Sequence, residues 1–173
     1  LMHQLITGGY ETTQSAINHG MWALIRFPDI AEKIYEDESL LKPFIEEVLR
    51  WESPVQFLLR RTSKDVEVSG TVIPKDSMVM MGYGPANRDE EKFSCPHQFQ
   101  LNREGVGAHM AFGSGAHHCP GALLGRQEMI RSFKFLVQRM KNIKIDKPLQ
   151  EPVHNFSMFF MPMKEFFITF DKR

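Results

Sequence analysis

The chain has no charge excess: 21 Lys and Arg balance 21 Asp and Glu over 173 residues, so nothing draws it to the phosphates of a nucleic acid. It is also poor in cysteine. Two occur, Cys95 and Cys119, too few and too scattered for a disulfide framework, and they form no CxxC pair, which favours a reducing, cytoplasmic setting. No run approaches the roughly 20 apolar residues of a membrane span, and no charged start with an apolar core and cleavage site marks a secretory leader, so a membrane partner is not expected. The chain opens on Leu1 within a helical pattern and without an initiator methionine, so an amino-terminal region, with any anchor it carries, is expected to be missing. Internal repeats, low-complexity tracts and linkers are lacking as well.

What is present is an ordinary globular composition, 42% hydrophobic and 24% charged, enough for one core. Ile17, Met21, Leu24 and Ile25 recur at helical spacing and stop before Pro28, predicting a helix over 1–27. Its first half is unusual, because Gly8 and Gly9 stand beside Tyr10, Glu11, Thr12 and Thr13 and each glycine costs about 1 kcal/mol against alanine. Two readings stay open there: a helix end, or a widened turn against a bound ligand, with Glu11 and Thr12 able to relay protons.

Helices are expected over 28–37 and 43–51. On the second, Glu47 and Arg50 lie three residues apart among Phe44, Ile45, Val48, Leu49 and Trp51, so a pair that is commonly a solvated salt bridge is expected to be buried. Alternation over 55–81, with turns at Ser69–Gly70 and Lys75–Asp76, predicts short antiparallel strands. The stretch 82–110 is an irregular meander, too long for an ordinary loop. Ile130, Phe133, Val137 and Met140 describe a helix from Pro120 to about Lys141, and the tail 143–170 reads as strands with a turn at Phe156 to Met161.

Between meander and last helix stands Phe112 to Gly121, FGSGAHHCPG, where glycines let backbone approach a flat ligand and a helix start lies beside Cys119, an arrangement suited to presenting a thiolate. Zinc is the competing reading, since His109, His117, His118 and Cys119 are all ligand types. Adjacent His118 and Cys119 point apart, however, and neither CxxC nor HxxxH supports a tetrahedron. A buried structural cysteine leaves the surrounding glycines without a purpose, whereas Cys95 reads as a structural or meander cysteine.

GGYETT, then ExxR, then a meander ending PHQFQLNR, then FxxGxxxCxG resemble, in that order, the cytochrome P450 family of haem-thiolate monooxygenases, in its soluble bacterial or archaeal branch. The resemblance implies a mainly α fold with small antiparallel β-sheets, of which 1–173 is a single haem-binding portion, the carboxy-terminal half, without the amino-terminal half of the fold. It implies haem b held by Cys119 as iron ligand, with Phe112, Gly113 and Gly121 packed close to the ring and Arg60 and His117 at the propionates, Arg61 being the competitor of Arg60. Glu47 and Arg50 belong to a structural network whose usual third arginine is replaced by Gln98 after His97, so Arg103 is the candidate partner.

Gly8 and Gly9 are implied to make room for oxygen, with Thr12 and Glu11 as its proton relay. Val55, Gln56, Phe57, Leu58 and the tip residues Met158 and Phe159 are implied to face substrate, Gln56 supplying one orienting hydrogen bond. The implied reaction inserts one atom of O2 into a hydrophobic small molecule, with electrons from a ferredoxin, flavodoxin or reductase docking near Arg126 and Arg131. A non-catalytic haem-binding or haem-sensing module is the alternative, distinguished by whether Glu11 and Thr12 are used.

Overall fold

The computed structural model describes residues 2–146, 152–155 and 157–173. Its helices are α1 (Met2–Arg26), α2 (Pro28–Glu36), α3 (Leu41–Trp51), a single turn α4 (Tyr83–Ala86) and α5 (Ala122–Val137). Strands are short: β1 (Phe57–Arg61), β2 (Val66–Val68), β3 (Thr71–Ile73), β4 (Met78–Gly82), β5 (Met140–Ile145), β6 (Val153–His154), β7 (Met163–Glu165) and β8 (Ile168–Lys172). They pair antiparallel as β1–β4, β2–β3, β5–β8 and β6–β7, so among the described residues no sheet exceeds two strands. The architecture is mainly α with small antiparallel sheets.

One core sets the arrangement. Met21, Ala23 and Leu24 of α1, Phe44, Ile45 and Val48 of α3, and Met129, Phe133 and Val137 of α5 are buried together, with Ile30 and Ile34 of α2 closing one end. Phe44 meets Phe133 edge-on with centroids 5.1 Å apart, and Phe99 of the meander stacks on Phe27 at 5.2 Å and meets Trp51 edge-on at 5.6 Å. The two contacts of Phe99 draw the irregular meander onto the helices.

Three boundaries differ from the sequence expectation. The Gly8–Gly9 pair neither ends nor widens α1, which runs as α-helix through both, because burial of its later turns outweighs two weak helix formers. Pro43 does not begin α3 but lies inside its first turn, where its missing N–H costs nothing. The last helix stops at Val137 instead of Lys141, and the buried Met140 opens β5, its partner in β8 being Lys172. Within the expected turn Phe156–Met161, Phe156 lies outside the described residues.

Gly20 marks a close approach of α1 to α5: a Cβ there would overlap the edge of the Phe133 ring. Gly20→Ala therefore loses about 1–3 kcal/mol to overpacking, more than the ~1 kcal/mol gained in helix propensity, and lowers the urea midpoint. Adding Phe133→Leu in the same chain should recover part of that loss, which a double-mutant cycle measures.

Candidate active site

A cavity of about 550 Å³ opens between α1, the β1 region and the cysteine loop. Thr7, Gly8, Glu11, Thr12, Thr13 and Ala16 line it from α1; Pro54, Val55, Leu58 and Arg60 line it from the chain leading into and through β1. Phe112, Gly113, His117 and Cys119 form the facing wall, and Phe160 closes one edge. Cys119 and Thr12 thus look into one apolar space from different walls.

The loop carrying the thiol is held by its own backbone. The N–H of Cys119 donates to the Phe112 carbonyl at 2.9 Å and that of Gly113 to the Met110 carbonyl at 2.8 Å. Closing that turn needs left-handed backbone at Gly113 (φ 67°) and Gly115 (φ 68°), which glycine adopts without strain. A short 3-10 turn, Gly115–His117, puts His117 at the rim, and α5 begins three residues after the cysteine. The sulfur lies 3.8 Å from where a Cβ on Gly121 would stand, an ordinary contact distance, and Gly121 does not itself line the cavity.

On α1, the Thr12 hydroxyl donates to the Gly8 carbonyl at 2.6 Å, while exposed Glu11 lines the same opening. Gly9 is off the cavity wall, with open space where a side chain would stand, which corrects its assignment beside Gly8. Arg60 faces the cavity, and one of its guanidinium nitrogens donates to the Leu59 carbonyl at 2.9 Å. Arg61 turns to the opposite side of β1 and donates to the Asp76 carbonyl, so Arg60 and not Arg61 reaches the rim.

Among the expected substrate-facing residues, Val55 and Leu58 line the cavity, whereas Gln56, Phe57, Met158 and Phe159 do not. Gln56 is spent internally: its amide donates to the Ser53 carbonyl at 2.6 Å and its side chain packs against Gly84, leaving it no orienting role. Phe57 alternates away from Leu58, as adjacent strand residues must. Met158 is exposed and Phe159 contributes its carbonyl to the Gln56 N–H at 2.8 Å, so the tip reaches the cavity through Phe160 instead.

Behind the loop lies a wholly buried ion network. Arg50 donates to both oxygens of Glu47 at 2.7 and 2.8 Å, and Arg103 reaches the same carboxylate at 3.0 and 3.1 Å. The carbonyls of Asn87, Pro96 and Gln98 accept from Arg50, and those of Ser94, Cys95 and Gln98 accept from Arg103. The residues that interrupt any regular pattern in the meander are those turning carbonyls onto two guanidinium groups.

A second cluster had no counterpart in the sequence reading. Glu46 accepts from Arg126 at 2.6 and 3.0 Å and from His109 Nε2 at 2.9 Å, while His109 Nδ1 accepts the Ala111 N–H at 3.2 Å. Arg126 lies over the Phe112 ring with 4.4 Å to its centroid. The expected surface patch of Arg126 with Arg131 is thereby corrected, since Arg126 is committed inward. Burial works against ionisation of Glu46, but the bonds from His109 and Arg126 outweigh it and hold the carboxyl down at about 2. The only hint in the sequence was a second acid beside Glu47.

A haem fits this cavity by its donor set: one soft sulfur on an apolar wall, cationic Arg60 and ring-bearing His117 at the rim, and no side chain at Gly113 to intrude. Zinc does not, since among the described residues no group of three or more His, Cys, Asp or Glu can hold a metal ion. The fold is helix-rich and presents a lone thiol across a cavity from a hydroxyl-bearing helix.

The family model of cytochrome P450 matches residues 1–170. Cytochrome P450 CYP107DY1 of Priestia megaterium is 37% identical over 153 residues, 88% of this chain and 37% of that protein. Methyl-branched lipid omega-hydroxylase of Mycobacterium tuberculosis is 37% identical over 167 residues, 95% of this chain and 38% of that protein. The substrate-free structure of Mycobacterium marinum cytochrome P450 CYP150A6 superposes with a TM-score of 0.94 at 36% identity, covering 97% of this chain and 43% of that one. This chain belongs to the cytochrome P450 family and spans about two fifths of the length of these relatives. The family's cofactor is haem.

Because the Glu46 carboxyl is held below its unfolded value of 4.5, its contribution to stability is complete above pH 4.5 and is lost as pH falls toward 2. Glu46→Gln should lower the urea midpoint by a constant amount above pH 4.5, and the gap to the unaltered chain should close near pH 2, as urea titrations across that range would record.

Proposed function

We propose that this chain supplies the thiolate wall and the oxygen-side helix of a haem-thiolate monooxygenase acting in the cytoplasm, where Cys119 stays reduced. The reaction inserts one oxygen atom of O2 into a hydrophobic small molecule, with electrons from a ferredoxin, flavodoxin or reductase. The observation that carries this reading is the placement of Cys119 and the Glu11–Thr12 pair on different walls of one apolar cavity. A relative named as a hydroxylase of methyl-branched lipids is in keeping with an apolar substrate.

In this reading Cys119 is the iron ligand, and haem bound to it supplies the oxygen-activating redox chemistry. Arg60 and His117 hold the propionates, and Phe112 packs beside the sulfur. Thr12 has one hydroxyl proton, and in the resting arrangement Gly8 receives it at 2.6 Å. Toward the cavity the hydroxyl oxygen can therefore accept a bond from water, and it donates to oxygen only after leaving the Gly8 carbonyl. Glu11, exposed at the opening, is placed to return that proton from solvent. Leu58, Val55 and Phe160 exclude water and give an apolar substrate its contact surface.

The reduced carbon-monoxide spectrum of the haem-loaded protein tests the ligand. A thiolate-type Soret band is expected, and Cys119→Ala should abolish it; persistence of the band in the variant would end the assignment. Thr12→Ala should leave that band intact while product formed per electron falls by about tenfold or more, the usual lower range for a lost proton-transfer group. Unchanged coupling would overturn the proton-relay role of Thr12, and electron use with no product in the unaltered protein would favour a haem-binding module without turnover.

A further inference from the structure

Tyr83 opens α4 directly after β4 and is only 8% exposed, although it lines the cavity. Its backbone is fixed on both sides, the N–H donating to the Gln56 carbonyl at 2.9 Å and the carbonyl accepting the Asn87 N–H at 3.1 Å. The Gln56 carbonyl also accepts the Gly84 N–H at 3.1 Å, so Gln56 anchors this turn through its main chain. The ring is turned toward the cysteine loop: its hydroxyl lies 3.8 Å and its Cε1 3.9 Å from the point where a Cβ on Gly113 would stand. The His117 carbonyl is 3.8 Å from that same point, so the phenol and the end of the loop's 3-10 turn stand on either side of it.

The Tyr83 hydroxyl has no hydrogen-bond partner among the described residues. A phenol carries one proton to donate, and a buried one ordinarily finds an acceptor. Here the wall offers none, so the acceptor is sought on what the cavity holds. The charges around it say what kind. Among the described residues the one acid on the cavity wall is Glu11, which belongs to α1, whereas Tyr83 stands with the cysteine loop and its His117, and Arg60 comes from β1. Phenol, imidazole and guanidinium together make a donor set without a carboxylate of its own, which suits an anionic carboxylate better than an apolar substrate.

We propose that Tyr83 is a further cofactor-binding residue, its phenol donating a hydrogen bond to a propionate carboxylate of the haem on the cysteine-loop side of the cavity. The phenol keeps its proton, and its part is to hold the cofactor in place. The inference rests on the cavity being the haem site, and its test separates the two.

Release of haem from the haem-loaded chain to an excess of an apoglobin scavenger is the experiment, with Tyr83→Phe as the variant that keeps the ring and removes only the hydroxyl. Haem should leave the variant about tenfold faster, the low end for a lost bond to a charged acceptor, while the thiolate-type Soret band of the reduced carbon-monoxide complex stays as it was. With both proteins loaded instead with haem whose propionates are methyl esters, the gap should shrink to about threefold or less, because a neutral ester accepts a weaker bond. Equal rates with natural haem overturn the role of Tyr83 and leave the haem site standing, as does a gap that esterification does not change. Failure of the unaltered chain to take up haem overturns the haem site and this inference with it.

Discussion

The rest of the structure depends on one buried carboxylate. Glu47 is fully buried and accepts from Arg50, from Arg103 and from the Gln100 N–H at 2.9 Å, leaving little of its acceptor capacity unused. Two guanidinium groups against one carboxylate leave a net positive charge in the interior, and the meander carbonyls answer it with their dipoles. Removing Glu47 would strand both desolvated guanidinium groups, which costs about 3–5 kcal/mol or more, and through the carbonyls those groups hold it ties the irregular chain from Asn87 to Arg103 to α3. Arg50 also lies 5.5 Å from the centroid of Phe93, adding a cation–aromatic contact to the same anchor.

How much of this could be read beforehand follows from sequence separation. Glu47 and Arg50 are three residues apart and their helix is unmistakable, and the cysteine loop is a contiguous decapeptide whose glycines mark its turns. Arg103 could be named as a candidate because it was the remaining arginine in the meander's closing run. Glu46 with His109 and Arg126 pairs across 63 and 80 residues, and His19 reaches Met161 across 142; no local pattern carries such distances. At Gly8 and Gly9 the local signal pointed the wrong way, since propensity said weak helix while packing farther along α1 maintained it. Gln56 misled for a related reason: a polar residue in an apolar strand looks like a ligand group until Ser53 is seen to consume it.

Adjacent acids on α3 divide the remaining work by helix geometry. Successive residues on an α-helix are turned about 100° apart, so Glu46 and Glu47 cannot serve the same neighbours. Glu47 faces the meander. Glu46 faces α5 and His109, and through Arg126 over the Phe112 ring it reaches the residue whose carbonyl accepts the Cys119 N–H. One helix therefore grips the segment before the cysteine loop and the helix after it, each through a separate carboxylate.

That division bears on what the thiol experiences. A guanidinium over the ring of Phe112, whose carbonyl accepts the Cys119 N–H, would, unpaired, bring a full positive charge toward the cysteine loop. Paired twice with Glu46, the same group keeps its stacking contact on Phe112 while its charge is largely cancelled. His109 joins from the other side, its Nε2 2.9 Å from the Glu46 carboxylate and its Nδ1 accepting the Ala111 N–H at 3.2 Å. The Arg126 charge over the Phe112 ring is thus balanced by Glu46, a residue that does not line the cavity.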